Sequence, residues 1–119
     1  MRMRRYRDMR VWQLSMQLAV ASYRCTQNFP VEERYGLTSQ IRRAAVSVPC
    51  NIAEGQGRAT PGEFLNQLSD ARGSLQELET LFILAQELTY LSREQLDAPL
   101  ETCDHVSRML TKLRNSVKR

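Results

Sequence analysis

Cys103 and His105, two positions apart, come nearer than any other pair in this chain to a metal or nucleophile site. Their spacing argues against both. On a helix, residues two apart lie about 200° apart around the axis, so the two side chains leave on different faces. His105 is the single histidine, and no CxxC, HExxH or ExxH accompanies it to complete a ligand set. It reads instead as an exposed residue that can pair with Glu101 one turn earlier. No GxSxG elbow presents a serine nucleophile. Gly55-Gln56-Gly57 has no strand before it and no GKS or GKT after it, so it reads as a helix end and turn rather than a phosphate loop. The chain therefore predicts no catalytic residue, no metal and no cofactor, and the enzyme class drops out for want of a catalytic constellation.

Charge is the stronger signal. Residues 1–10 hold five Arg and one Asp, a charge of +4, and residues 105–119 hold five basic residues and no acid, +5. The stretch between them holds seven basic and twelve acidic residues, −5. Cations near a helix C-terminus are favoured by the helix dipole, which accounts for Arg108, Lys112, Arg114 and Lys118 without any function. The same dipole disfavours Arg2, Arg4, Arg5, Arg7 and Arg10, which lie at or just before a helix start. Arginine also offers a fork of donors that grips phosphate bidentately. These nine residues are the candidate nucleic-acid contacts, and Tyr6 among them offers a ring to a base. The other reading of residues 1–8 is a solvated, disordered basic arm. Arg42 and Arg43 point about 100° apart on a helix, so one of them is expected to meet Glu77 or Glu79 on a neighbouring helix.

The elements that must position these residues are helical. Trp12, Met16, Ala19 and Tyr23 recur at helical spacing, widened by Val11, Leu18 and Val20, which predicts a helix over roughly 9–28 ended by Phe29-Pro30. After a connector over 31–36, Leu37, Ile41, Ala44, Ala45, Val48 and Ile52 share one face of a second helix, with a kink expected at Pro49. Thr60-Pro61-Gly62-Glu63 reads as a capping box with Pro at the first helical position. From Phe64 through Leu68, Ala71, Leu75, Leu78 and Phe82 to Ala85, a heptad seam then runs along the third helix. Leu81, Leu84, Leu88 and Leu91 form a second stripe, which predicts contact with more than one neighbour. Ser92 and Gln95 open a fourth helix whose face is Leu96, Leu100, Cys103, Val106, Leu110, Leu113 and Val117, with Pro99 expected to delay or bend its first turns. Gly73, costly inside a helix, suggests close packing there or a partner's backbone nearby.

No segment alternates with period two. The fold class is all-α, an up-and-down four-helix bundle with short connectors, forming one domain over residues 1–119. In that topology both basic segments lie at one end, a combined +9. Hydrophobic residues at 42% and charged residues at 25% are those of a globular chain. No apolar run reaches the about 18 residues that span a bilayer, and no signal-peptide core follows the basic start, so a cytoplasmic protein with no membrane partner is expected. Cys25, Cys50 and Cys103, odd in number and far apart, read as small buried hydrophobes in a reducing compartment.

The stretches VWQLSMQLA (11–19), YGLTSQIRRAAVSVPCNIAEGQGR (35–58), FLNQLSDARGSLQELET (64–80) and LTYLS (88–92) resemble the bacterial four-helix-bundle family of 23S rRNA intervening-sequence proteins. The resemblance implies a homo-oligomer, a ring-shaped pentamer, with no enzymatic activity. A related branch, the accessory variability determinant of diversity-generating retroelements, implies nucleic acid and a reverse transcriptase as partners. Gln40, Arg42, Arg43, Pro49, Asn51, Glu54, Gly55 and Arg58 match the motif, in positions that fold and assembly explain as well as binding does. Two functions stand open on this reading: a module that binds RNA or DNA, and an oligomeric scaffold for a protein partner.

Overall fold

The computed structural model describes residues 5–118. Among them the chain forms α1 (Arg10–Cys25), α2 (Leu37–Gln56), α3 (Pro61–Glu87) and α4 (Arg93–Lys118), with 3-10 turns at Tyr6–Asp8 and Val31–Glu33 and no strand. A helix as long as α3 spans about 40 Å at 1.5 Å per residue. The molecule measures 49 × 24 × 20 Å, so the helices run along its long axis. Each helix packs on the next, and α1 also packs on α4, which closes an up-and-down bundle.

One core runs through it. Leu18 of α1, Ile41, Val48 and Ile52 of α2, Leu68, Leu75, Leu78 and Phe82 of α3, and Leu96, Val106 and Leu110 of α4 are all buried. The α3 seam is buried from Leu68 to Ala85, with Phe64 half-buried at its start. The second stripe divides: Leu81 and Leu91 are buried, whereas Leu84 and Leu88 stay exposed beside Ile83.

The core face of α1 differs from the expected one. Val11, Leu14, Ser15, Leu18, Ala19 and Ser22 are buried, while Met16, Val20 and Tyr23 are exposed. The two serines can face the core because each returns its hydroxyl to its own helix, Ser15 Oγ to the Trp12 carbonyl at 2.8 Å and Ser22 Oγ to the Leu18 carbonyl at 2.8 Å. The helix ends at Cys25, short of the expected Asn28. Thr26 Oγ1 donates back toward the carbonyls of Ser22 (3.0 Å) and Tyr23 (3.1 Å), and the chain turns there.

Local chemistry sets the other helix starts. Thr60 Oγ1 accepts from Glu63 N at 3.2 Å and begins α3. The Ser92–Gln95 box is reciprocal, with Ser92 N donating to Gln95 Oε1 (2.8 Å) and Gln95 N to Ser92 Oγ (3.2 Å). That box fixes the first turn of α4 at Arg93, so Pro99 does not delay the helix; its ring is buried in the core. Pro49 is likewise buried, within an α2 that continues past it to Gln56.

The glycines exchange roles. Gly73 is exposed, and a Cβ there would meet nothing within 4 Å, so no close packing in this chain explains it. Gly55, expected in the turn that closes the helix, is a buried residue of the last turn of α2, where a Cβ would come within 2.8 Å of both Phe64 and Gln67. Two turns earlier in α2, the Ser47 and Ser74 hydroxyls share a hydrogen bond of 2.8 Å between α2 and α3.

Candidate nucleic-acid interface

Arg2 and Arg4 lie outside the described residues. Arg5, Arg7 and Arg10 are exposed along the first 3-10 turn and the start of α1. The Gln13 amide donates to the Arg7 carbonyl at 2.9 Å, which fastens the turn to the helix. Tyr6 packs edge-on against Trp12, ring centroids 5.3 Å apart, in an apolar recess with Pro49 and Cys50. Its ring is therefore engaged in the fold rather than held out for a base, and residues 6–8 belong to the folded body.

At the other end of the chain, Arg108, Lys112 and Lys118 are exposed on α4, and Arg114 is half-buried with its Nε enclosed and without a hydrogen-bond partner. Arg108 pairs with Asp104 at 3.3 Å. The only other ion pair among the described residues is Glu54–Arg58 at 3.9 Å. His105 is exposed and makes no ion pair with Glu101 there. The start of α1 and the end of α4 share one end of the bundle. The basic 3-10 turn lies on α1 and α2 rather than on α4, so the two segments flank that end without touching among the described residues.

A second cationic region lies at the opposite end of α1, where α1, its connector and α2 enclose a groove of about 540 Å³. Arg42 does not reach the acids of α3. Its Nε donates to Thr26 Oγ1 at 2.8 Å, a terminal nitrogen reaches the Tyr23 carbonyl at 3.4 Å, and the guanidinium lies 4.6 Å from the Tyr23 ring centroid. Arg43 lines this groove and also an adjoining cleft that contains Glu77, but forms no ion pair with it. The Arg34 guanidinium lies 5.9 Å from the centroid of Tyr35, which is 89% exposed. In the sequence, residues 31–36 read only as a connector, and nothing there on its own marks this region as a site. The available signal was the Arg34-Tyr35 pair within one connector's length of Arg42-Arg43.

The thiols divide by burial. Cys103 is buried, and desolvation, with the nearby Glu79 carboxylate, pushes its pKa up to about 12, so it stays a thiol at neutral pH. Burial also raises the Cys25 pKa. Cys50, expected inside, is exposed in the recess beside Tyr6 and Trp12, because the core face of α2 there is taken by Val48, Pro49 and Ile52. Among the described residues no three His, Cys, Asp or Glu side chains group as metal ligands, and no helix is long and apolar enough to cross a membrane.

The model of the 23S rRNA-intervening sequence protein family matches residues 7–112. The chain belongs to the 23S rRNA-intervening sequence protein family. The stretch matched by the family takes in all of α1, α2 and α3 and most of α4, so the groove and the helical cations up to Lys112 lie within it. A solved relative, a protein of unknown function from the S23 ribosomal protein family of Bacteroides thetaiotaomicron, has the same fold, with a TM-score of 0.79 and 23% identity over 87% of this chain and 97% of that one. No curated protein sequence matches the chain.

Proposed function

We propose that this member of the family is a non-catalytic, cytoplasmic RNA-binding module that works as a homo-oligomer. One observation carries the reading: Arg5, Arg7, Arg10, Lys112 and Lys118 are exposed at one end of the bundle, and none is neutralised by a carboxylate among the described residues. Cations left free on a surface are what a phosphate backbone engages. The family name, which ties its members to intervening sequences of 23S rRNA, supports RNA as the polymer. Self-association to the pentamer that the family resemblance implies would repeat the charged end around a rim. The exposed Ile83 and Leu84 of α3, with Leu88 directly after it, supply an apolar face for such a contact.

Fluorescence anisotropy across a salt series, with an rRNA fragment and a random RNA of equal length, tests the reading. Binding should weaken steeply with salt, by a slope of about 0.7 to 0.9 per phosphate contact. Joint replacement of Arg4, Arg5 and Arg7 by Ala should weaken it and lower the salt slope by about 2, about 0.7 for each lost contact. Absence of binding at low salt would sink the proposal.

The second reading is an oligomeric scaffold for a protein partner such as a reverse transcriptase, favoured by the same α3 face. Light scattering of the Leu84→Glu, Leu88→Glu double variant separates the roles of that face. A fall in mass assigns it to self-association, and an unchanged mass leaves it free for another protein.

A further inference from the structure

We propose that the groove between α1 and α2 is a second binding site, for single-stranded nucleic acid, in which Tyr35 stacks on a base and Arg34 and Arg43 contact phosphates. The inference rests on the RNA-binding reading above and places a site that the basic end does not contain.

Tyr35 is the strongest observation. A tyrosine ring normally buries most of its apolar surface, yet this one is 89% exposed, with the Arg34 guanidinium 5.9 Å from its centroid. An aromatic face next to a free cation is the pairing that binds a strand without sequence preference: the ring takes the base and the guanidinium the backbone. Among the described residues Arg34, Arg42 and Arg43 line the groove and no carboxylate does, which favours an anionic strand there. Arg42 is committed internally to Thr26 and Tyr23 and acts as a fixed charge, whereas Arg34 and Arg43 are exposed and make no ion pair among the described residues. The Thr38 and Ser39 side chains add hydroxyls to the wall.

Shape favours a strand over a small ligand. The groove is open and does not end at Tyr35. Toward the connector it continues past Pro30 and Val31, and along α2 it meets, at Val46, the recess of Trp12, Pro49 and Cys50 that ends at Tyr6. Arg5 and Arg7 flank Tyr6 in sequence. A strand lying along α1 and α2 would thus pass from the Arg34–Tyr35 pair toward the basic end. A duplex offers no free base face to Tyr35, and an acidic peptide offers charge but nothing to stack.

The test is anisotropy with a labelled oligo-uridine of about twelve nucleotides, within the range a single small domain covers, and an RNA duplex of the same length. Tyr35→Ala should weaken single-strand binding about 5-fold or more and leave duplex binding unchanged. Tyr35→Phe, which keeps the ring, should bind like the wild type. Joint Arg34→Ala and Arg43→Ala should lower the salt slope by about 1.4, about 0.7 for each lost contact. All these side chains are exposed, and an unchanged helical circular dichroism spectrum confirms that the variants fold. Equal affinities for Tyr35→Ala and the wild type would overturn the site, as would competition by polyglutamate matching that by RNA. Loss of binding on replacing Arg5 and Arg7, with the groove variants unaffected, would overturn the groove alone. A wild-type protein that binds neither RNA would overturn this site and the RNA-binding reading together.

Discussion

Tyr90 and Glu33, far apart in the chain, are joined by a hydrogen bond in which the phenol donates to Glu33 Oε2 at 3.1 Å. The other oxygen of the same carboxylate accepts from Leu37 N at 3.0 Å and so caps α2 from the preceding turn. Gly36 makes room for it, since a Cβ there would lie 2.7 Å from Glu33 Oε1. One carboxylate thus starts the second helix and holds the connector between α3 and α4 against it. Removing it by Glu33→Ala should cost about 1 kcal/mol, the usual worth of a helix cap, read from the urea midpoint. The bond to Glu33, reinforced by partial burial, raises the Tyr90 pKa above its ordinary value of 10.0. The phenol is then protonated in the folded chain while it ionises in the unfolded one, so folding takes up a proton in that window. The stabilising contribution of Tyr90 should be complete below pH 10 and be lost as pH rises through the higher folded value. Stability measured against pH for wild type and Tyr90→Phe should show the gap between them closing only in that alkaline range.

Thr89 ends α3 in a left-handed conformation, φ 65°. Tyr90 N donates to the Ala85 carbonyl at 2.9 Å and Thr89 N to the Gln86 carbonyl at 2.9 Å, the paired closing bonds of a Schellman motif. A β-branched residue is strained there and glycine is not. Thr89→Gly should raise stability by about 1 kcal/mol, seen as a higher urea midpoint at unchanged slope. A lower midpoint would show that the threonine side chain contributes more than its backbone strain costs.

Two glycine-to-alanine changes should act in opposite directions. At Gly55 the new methyl group meets Phe64 and Gln67 at 2.8 Å, so Gly55→Ala should destabilise by about 1–3 kcal/mol. At Gly73 it meets nothing, so Gly73→Ala should stabilise by roughly 1 kcal/mol through helix propensity. Thermal melts of the two variants check both signs. Dissociation of an oligomer by Gly73→Ala, seen by light scattering, would place a partner's surface against that open position.

Thiol labelling should follow burial. A maleimide reagent at neutral pH should modify Cys50 quickly and Cys25 more slowly, and should reach Cys103 only after unfolding. Mass spectrometry of the labelled peptides reads the order. Early labelling of Cys103 would mean that the α3–α4 seam opens readily.

The four helices, the α3 seam, the Thr60 N-cap and the Ser92–Gln95 box were legible in the sequence because each depends on neighbours within one or two turns. The inner face of α1 was not, because two of its core positions are serines and apolar periodicity does not mark them. Ser15 and Ser22 occupy core positions by satisfying their hydroxyls within the helix, which leaves Met16 and Tyr23 outside. The basic residues near the ends of the chain stand out in any composition count. The groove does not, because Tyr23, Arg34, Tyr35 and Arg43 come together only when α1 packs on α2, and each is ordinary in its own segment.

The most extensive contact in the bundle joins α2 to α3, neighbours in sequence linked only by the tight turn over 57–60. Closing so short a loop costs little chain entropy, and Gly55 against Phe64 and Ser47 against Ser74 then register the two helices. That hairpin is the part of the chain able to form early in folding, with high φ-values expected along Val48, Leu68 and Leu75. The contact of α1 with α4 spans nearly the whole chain, so it forms last, and substitutions along it should chiefly speed unfolding rather than slow folding.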